Sequence, residues 1–163
     1  VYVCNVDENS SVNGNLHTKA IEEYSKLNNS ETLLVSAKIE SEISQISDIE
    51  EKKMFLDSMG LKETGLKRVI KKGYALLNYI NFFTAGEKEL RAWTISKGTL
   101  APSAAGEIHT DMEKGFIRAE TISYEDYIEY NGESGAKEKG KLRLEGKEYE
   151  VNDGDVMHFL FNV

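Results

Sequence analysis

The sequence predicts an α/β unit with parallel strands followed by a mixed α+β unit. Two apolar runs, Val1 to Val6 and Thr32 to Ala37, flank an amphipathic segment at the spacing of a βαβ unit. Helical patterns then continue to about residue 77. From Asn78 onward, short strand-like runs alternate with turn signals.

The first run, Val1-Tyr2-Val3-Cys4-Asn5-Val6, is apolar on both faces apart from Asn5, as in a parallel sheet covered on both sides. A chain opening inside such a strand, without Met, reads as the later part of something longer; the other reading is a mature N-terminus pairing at a sheet edge. After the turn signal Asn13-Gly14, Ala20, Ile21, Tyr24 and Leu27 lie on one face of a helix from Leu16 to Asn28. Asn28-Asn29-Ser30 stops it.

The second strand, Thr32 to Ala37, should run parallel to the first. Ser47-Asp48-Ile49-Glu50 has the capping-box pattern, with Ser47 as N-cap, and opens a helix that Gly60 closes. Thr64 is placed to cap the next helix, whose apolar face is Leu66, Val69, Ile70, Leu76 and Leu77. Gly73 weakens that helix from within.

Strands are predicted at Ile80 to Thr84, Leu90 to Ser96, Phe116 to Ile122 and Val156 to Val163. Leu142 to Leu144 and Tyr149 to Val151 flank Glu145-Gly146-Lys147 as a hairpin. Short helices near Pro102 to His109 and Tyr124 to Tyr130 interrupt the strands. A hairpin, a helix and further strands suggest an α+β domain of the β-grasp kind.

The chain has 163 residues, 40% of them apolar and 29% charged, which suits a globular protein with a sizeable core. Its net charge is −8. Residues 1–77 carry 10 basic and 12 acidic side chains, and residues 78–163 carry 10 and 16, so the second part is the acidic one. Phosphate-driven nucleic-acid binding and DNA sequence readout are therefore not expected. One cysteine, Cys4, excludes an internal disulfide and a cysteine-based zinc site. The apolar runs are too short to cross a bilayer, and no basic n-region of a signal peptide is present, so the expected compartment is the cytoplasm without membrane contact.

Asn5-Val6-Asp7-Glu8 stands where the first strand ends, the side of an open α/β sheet on which ligands bind. An amide there can hydrogen-bond a purine edge, and a carboxylate three residues on can accept from ring or exocyclic NH groups. Ser36-Ala37-Lys38, closing the parallel strand, would supply backbone NH groups to the same base. On spacing alone, a loop-shaping role for Asn5 and Glu8 is the favoured reading, because four-residue polar matches are common by chance.

No G-x-x-x-x-G-K-[ST] occurs, so no phosphate cradle or magnesium hydroxyl ligand is present and hydrolysis by these residues alone is not expected. His17, His109 and His158 lie far apart without metal-ligand spacing, and His158 is placed on the solvated face of the last strand. No catalytic residue and no metal site is expected. Arg91, Lys97, Lys114, Arg118 and Arg143 lie on or beside strands with Trp93, Phe116 and Tyr124. Such cations near aromatics can hold single-stranded RNA or a ribosomal surface; they also fit an ordinary solvated strand face.

The stretch FFTAGEKELRAWTISKGTLAPSAAGEIHTDMEKGFIRAETISYEDYIEY, continuing to KLRLEGKEYEVNDGDVMHFLFNV, closely resembles the C-terminal TGS domain of the YchF-type Obg-like ATPases across residues 78–163. Its FFTAG, RAWTI, GFIRAE and DGDV blocks are specific. Residues 1–77 resemble the end of that family's nucleotide-binding domain: NVDE at Asn5 to Glu8 is similar to its N-x-x-E base-recognition motif, and SAK at Ser36 to Lys38 to its second base loop.

The resemblance implies the C-terminal part of a P-loop NTPase domain followed by a ubiquitin-like β-grasp TGS domain. It also implies a parent protein that binds and hydrolyses ATP in preference to GTP, needs Mg2+ and associates with ribosomes through rRNA or ribosomal protein. By the same resemblance Asn5, Val6 and Glu8 hold the base, assisted by Ser36, Ala37 and Lys38. Arg91, Trp93, Lys97, Lys114, Arg118 and Arg143 are the candidate docking residues. The family's phosphate loop, switch regions and coiled-coil arm have no counterpart here, so nucleotide binding by these residues alone should be weak. The competing expectation is a non-enzymatic β-grasp module that binds RNA or ribosomal protein.

Overall fold

The computed structural model describes residues 1–86 and 89–162, and these form two compact units, Val1–Gly73 and Tyr74–Val163.

In the first unit, β1 (Tyr2–Asn5) and β2 (Thr32–Val35) pair in parallel, with Tyr2 opposite Thr32 and Asn5 opposite Val35. The connecting helix α1 (Leu16–Leu27) begins at Asn15, whose side chain accepts from the backbone N–H groups of His17 and Thr18 while the Thr18 hydroxyl accepts from the Asn15 N–H. The expected apolar face of this helix is not the packed one. Thr18 and Ser25 are buried, whereas Tyr24 is 54% and Leu27 85% exposed. Within this unit a two-stranded sheet offers too little apolar area to cover Ile21, Tyr24 and Leu27 together.

The second predicted strand ends two residues early. Ser36 caps a helix that the sequence reading did not include, α2 (Ala37–Gln45), which buries Ile39 and Ile43. The next helix, α3 (Ile49–Ser58), is capped by Asp48, not Ser47: the Asp48 carboxylate accepts from the Glu51 N–H at 2.9 Å. Gly60, at φ +70°, follows its end in the left-handed conformation that glycine adopts without penalty.

Thr64 caps α4 (Gly65–Leu77) by accepting from the Lys67 N–H at 3.1 Å. The Glu40 carboxylate also accepts from the N–H groups of Gly65 and Leu66, tying α2 to the start of α4. Of the expected apolar face of α4, Leu66, Ile70, Leu76 and Leu77 are more than half exposed.

The second unit is a mixed five-stranded sheet, β4-β3-β7-β5-β6. Strand β3 (Tyr79–Ala85) forms an antiparallel pair with β4 (Leu90–Ser96), Phe82 facing Trp93. After α5 (Ala101–Ile108) and α6 (Thr110–Lys114) comes β5 (Phe116–Ile122), then α7 (Tyr124–Glu129) and α8 (Glu133–Glu138). Strand β6 (Arg143–Glu145) adds to β5, and β7 (Val156–Phe161) inserts parallel to β3 and antiparallel to β5. Val163, the predicted end of the last strand, lies outside the described residues.

The core is one face of this sheet under α5. Ala101, Ala104 and Ala105 are fully buried and lack bulk, so the helix can approach Ile80, Phe82, Ile95, Phe116, Met157 and Phe159 closely. Each large side chain buried here contributes about 1.5–3 kcal/mol. Helix α5 ends at His109, which also caps α6 by accepting from the Asp111 N–H.

The expected hairpin around Glu145-Gly146-Lys147 does not form. Strand β6 pairs with β5, and Glu150 instead bridges Leu100. The reason lies in the polar contacts of the flanking residues. Arg143 and Tyr149 are both drawn to the buried carboxylate of Asp155, which also accepts from the Asn152 N–H.

Candidate functional site

Three hydrogen bonds and one ion pair assemble the loop ends of the first unit. The Val6 N–H donates to the Val35 carbonyl at 2.9 Å, extending the parallel ladder one residue past β1. Asp7 then caps a short 3-10 turn, Glu8–Ser10, accepting from the Ser10 N–H at 2.9 Å. That turn sets Glu8 beside the start of α2. The Asn5 Oδ1 accepts from the Ala37 N–H at 3.0 Å, and Glu8 Oε1 meets Lys38 Nζ at 2.6 Å.

Asn5, Val6, Glu8, Ser36, Ala37 and Lys38 thus lie together where the two parallel strands end. The local chemistry is specific. Because the Asn5 oxygen faces an N–H, its amide NH2 is left to donate outward. Within the first turn of α2, Ala37 donates to Asn5, Ile39 to the Ser36 hydroxyl and Glu40 to the Ser36 carbonyl. Among the described residues the Lys38 N–H has no partner, so it is the donor this turn can offer to a ligand. Of the backbone NH groups expected from Ser36-Ala37-Lys38, that of Ala37 is taken by Asn5.

Glu8 and Lys38 remain accessible to solvent, with side chains 37% and 69% exposed. The hydrogen bond and charge of Glu8 raise the Lys38 pKa, keeping the ammonium charged. The supports of this cluster, Asp7, Glu40 and the Lys38–Glu8 pair, were not singled out in the sequence. The signals for them were an Asp before a Ser-rich turn and the Ile39, Ile43, Ile46 spacing of a helix after Ser36.

The candidate docking residues of the second unit fall into separate settings. The Arg91 guanidinium lies 4.0 Å from the centre of the Trp93 ring. Trp93 is half-buried, nearly parallel to Phe82, and donates from Nε1 to the Thr84 hydroxyl at 2.9 Å. Beside this pair runs a cleft of about 330 Å³, lined also by Met112, His158 and Phe161. Lys97 follows β4, and Lys114 closes α6; both are exposed. Arg118 stands opposite Leu160, one residue out of phase with the core pair Ala119 and Phe159, and so lies on the reverse face of the sheet. Arg143 is committed inside its own unit, at 3.1 Å from Glu145 and 3.3 Å from Asp155.

Among the described residues no group of His, Cys, Asp and Glu is arranged to hold a metal ion, and no helix is long and apolar enough to cross a membrane.

Comparison with known proteins adds relatives to this geometry. The family described as YchF-GTPase_C, protein of unknown function (DUF933), matches residues 79–162. The whole chain is 56% identical to the ribosome-binding ATPase YchF of Haemophilus influenzae over 44% of that protein. It is 54% identical to the protein of that name in Bacillus subtilis, over 45% of it. The chain therefore spans less than half the length of these curated relatives. Among solved structures it is similar to the Schizosaccharomyces pombe YchF GTPase, with 34% identity and a TM-score of 0.82 over 98% of this chain and 43% of that one. A GTP-binding protein from Pyrococcus horikoshii shares the fold at 19% identity and a TM-score of 0.65, over 98% of this chain and 45% of that one.

Proposed function

The chain belongs to the YchF-GTPase_C family, and on that premise we propose that it carries the base-reading edge and the docking domain of a cytoplasmic, ribosome-associated purine-nucleotide hydrolase. Residues 1–77 form the C-terminal part of an Obg-type nucleotide-binding domain, and residues 78–163 form a TGS domain of the ubiquitin-like β-grasp kind. The nucleotide is ATP in preference to GTP. Relatives that bear the name ribosome-binding ATPase support both the nucleotide and the partner.

The observation that carries this reading is the convergence of Asn5 with Ala37 and of Glu8 with Lys38 at the ends of two parallel strands. That is the side of an α/β sheet on which ligands sit. The outward NH2 of Asn5 suits the N7 acceptor of a purine, and the Lys38 N–H and Glu8 carboxylate can reach other parts of the same edge. The residues present fit a base; among the described residues no group of His, Cys, Asp and Glu is arranged to hold a metal ion, and the sequence has no G-x-x-x-x-G-K-[ST] phosphate loop. Hydrolysis therefore belongs to a longer protein in which these residues follow a phosphate loop, and no catalytic step is assigned to them.

In such a longer protein, replacing both Asn5 and Glu8 with Ala lowers ATP affinity by about tenfold or more, taking about 1 kcal/mol for each lost hydrogen bond. Unchanged affinity refutes the base-reading role. A second reading, docking without nucleotide, is favoured by one feature: the Arg91–Trp93 pair and its cleft lie wholly within the second unit. Salt-sensitive co-sedimentation of the 163-residue chain with ribosomes, unaffected by the Asn5 and Glu8 replacements, is the outcome that reading requires.

A further inference from the structure

The ion pair between Glu8 and Lys38 gives the base site a pattern that a lone carboxylate lacks. The two guanine donors, N1–H and N2–H2, are adjacent and call for two acceptor oxygens. Adenine presents a different edge: the N6–H2 donor next to the N1 acceptor. In this structure Lys38 Nζ stands 2.6 Å from Glu8 Oε1, so one carboxylate oxygen carries an ammonium beside it and the other, Oε2, is free of that contact. The accessible face of the pair is then acceptor next to donor.

We propose that Glu8 and Lys38 act as one unit complementary to the N6/N1 edge of adenine, and that Lys38 is the residue that sets the preference for adenine over guanine nucleotides. This rests on the base-reading assignment and adds to it the source of selectivity. Two contacts support it. An ammonium next to Oε1 opposes the approach of guanine N1–H while suiting adenine N1. The Ala37 N–H is already donated to Asn5, which removes a donor that guanine O6 would otherwise use. Asn5 itself offers its NH2 to N7, an acceptor both purines share, so it contributes affinity without discrimination.

The test uses the isotope-labelled 163-residue chain titrated with AMP and with GMP, read by NMR at the Asn5 side-chain amide and the Ala37 and Lys38 backbone amides. Lys38 is 69% exposed, so Lys38→Met removes the ammonium without disturbing the core. The expected result is AMP binding in preference to GMP, with Lys38→Met lowering the AMP-to-GMP affinity ratio by about tenfold, the scale of losing a matched two-point contact. Lys38→Arg restores most of the ratio. AMP lacking the N1 nitrogen (1-deaza-AMP) binds the native chain more weakly than AMP but binds Lys38→Met equally well.

An unchanged ratio in Lys38→Met, with AMP still perturbing the Asn5 amide, overturns the role of Lys38 and leaves base reading intact. If neither nucleotide perturbs those amides, and replacing Asn5 and Glu8 with Ala leaves the ATP affinity of a longer protein that carries the phosphate loop unchanged, base reading itself fails and this inference falls with it.

Discussion

The Tyr149 hydroxyl donates a 2.7 Å hydrogen bond to Oδ2 of Asp155, a carboxylate only 3% exposed. The same hydroxyl accepts from Arg143 and from the Asn152 side chain, so one phenol links the segments that precede and follow it. Tyr149→Phe keeps the ring and removes all three contacts. The expected loss is about 1–3 kcal/mol of stability, because the buried carboxylate loses a donor. A chemical-denaturation midpoint measures it.

This phenol also sets an alkaline limit. Burial, followed by the hydrogen bond to Asp155, pushes the Tyr149 pKa up from 10.0 to about 12. The protonated form is favoured in the folded state, so its stabilisation is complete below pH 10 and is lost as the pH rises through about 12. Unfolding midpoints recorded from pH 9 to about 12 should fall over the upper part of that window in the native chain. They should fall less in Tyr149→Phe, where no phenol remains to ionise.

Gly135 and Gly146 should respond differently to alanine. A Cβ on Gly135 would lie 1.9 Å from the Tyr130 carbonyl oxygen, whereas one on Gly146 meets nothing within 4 Å. Gly135→Ala therefore forces the turn between α7 and α8 apart, at a cost of about 1–3 kcal/mol. Gly146→Ala is expected to be near neutral. Parallel thermal melts of the two variants separate crowding from backbone freedom.

Gly73 lies inside α4, and a Cβ there also meets nothing within 4 Å. Gly73→Ala should stabilise the helix by about 0.5–1 kcal/mol. Far-ultraviolet circular dichroism together with a urea titration would detect the gain, and a loss of stability would show that the glycine is needed for its conformation.

Asn5→Asp keeps an oxygen for the Ala37 N–H but has no NH2 to offer a purine N7. On the base-reading proposal it weakens AMP and GMP binding by a similar factor, about tenfold, with little change in their ratio. A selective loss of one purine would assign discrimination to Asn5 instead of Lys38.

The strand pattern of the second unit was legible because its strand-like runs are short and bounded by turn residues. Leu90–Ser96 and Phe116–Ile122 stand where those runs placed them, and His158 is exposed as expected. Helix α2 was missed because Thr32 to Ala37 reads as one apolar run, while Ser36 stops the strand by capping the following turn. The hairpin at Gly146 was misread because local turn signals do not report a distant buried carboxylate: Asp155 redirects both Arg143 and Tyr149.

In the first unit, side chains that looked like core on α1 and α4 are exposed. Spacing reveals that a helix has an apolar face but not how much surface stands opposite it. Among the candidate site residues, proximity in the fold was the part beyond reach. Nothing in NVDE and SAK says that the Asn5 oxygen and the Ala37 N–H saturate one another.

The strand order has a consequence for how the chain is made. Strand β7 is last in sequence, yet it occupies the middle of the sheet, between β3 and β5. During synthesis from the N-terminus, the β3–β4 pair and the β5–β6 pair have no common partner until Val156–Phe161 emerges. The nascent domain therefore holds two half-sheets with open edges, exposed to mispairing or proteolysis, and closes in a late step when Val156–Phe161 pairs with both. A stop codon shortly before residue 156 would remove the strand on which the whole sheet is joined.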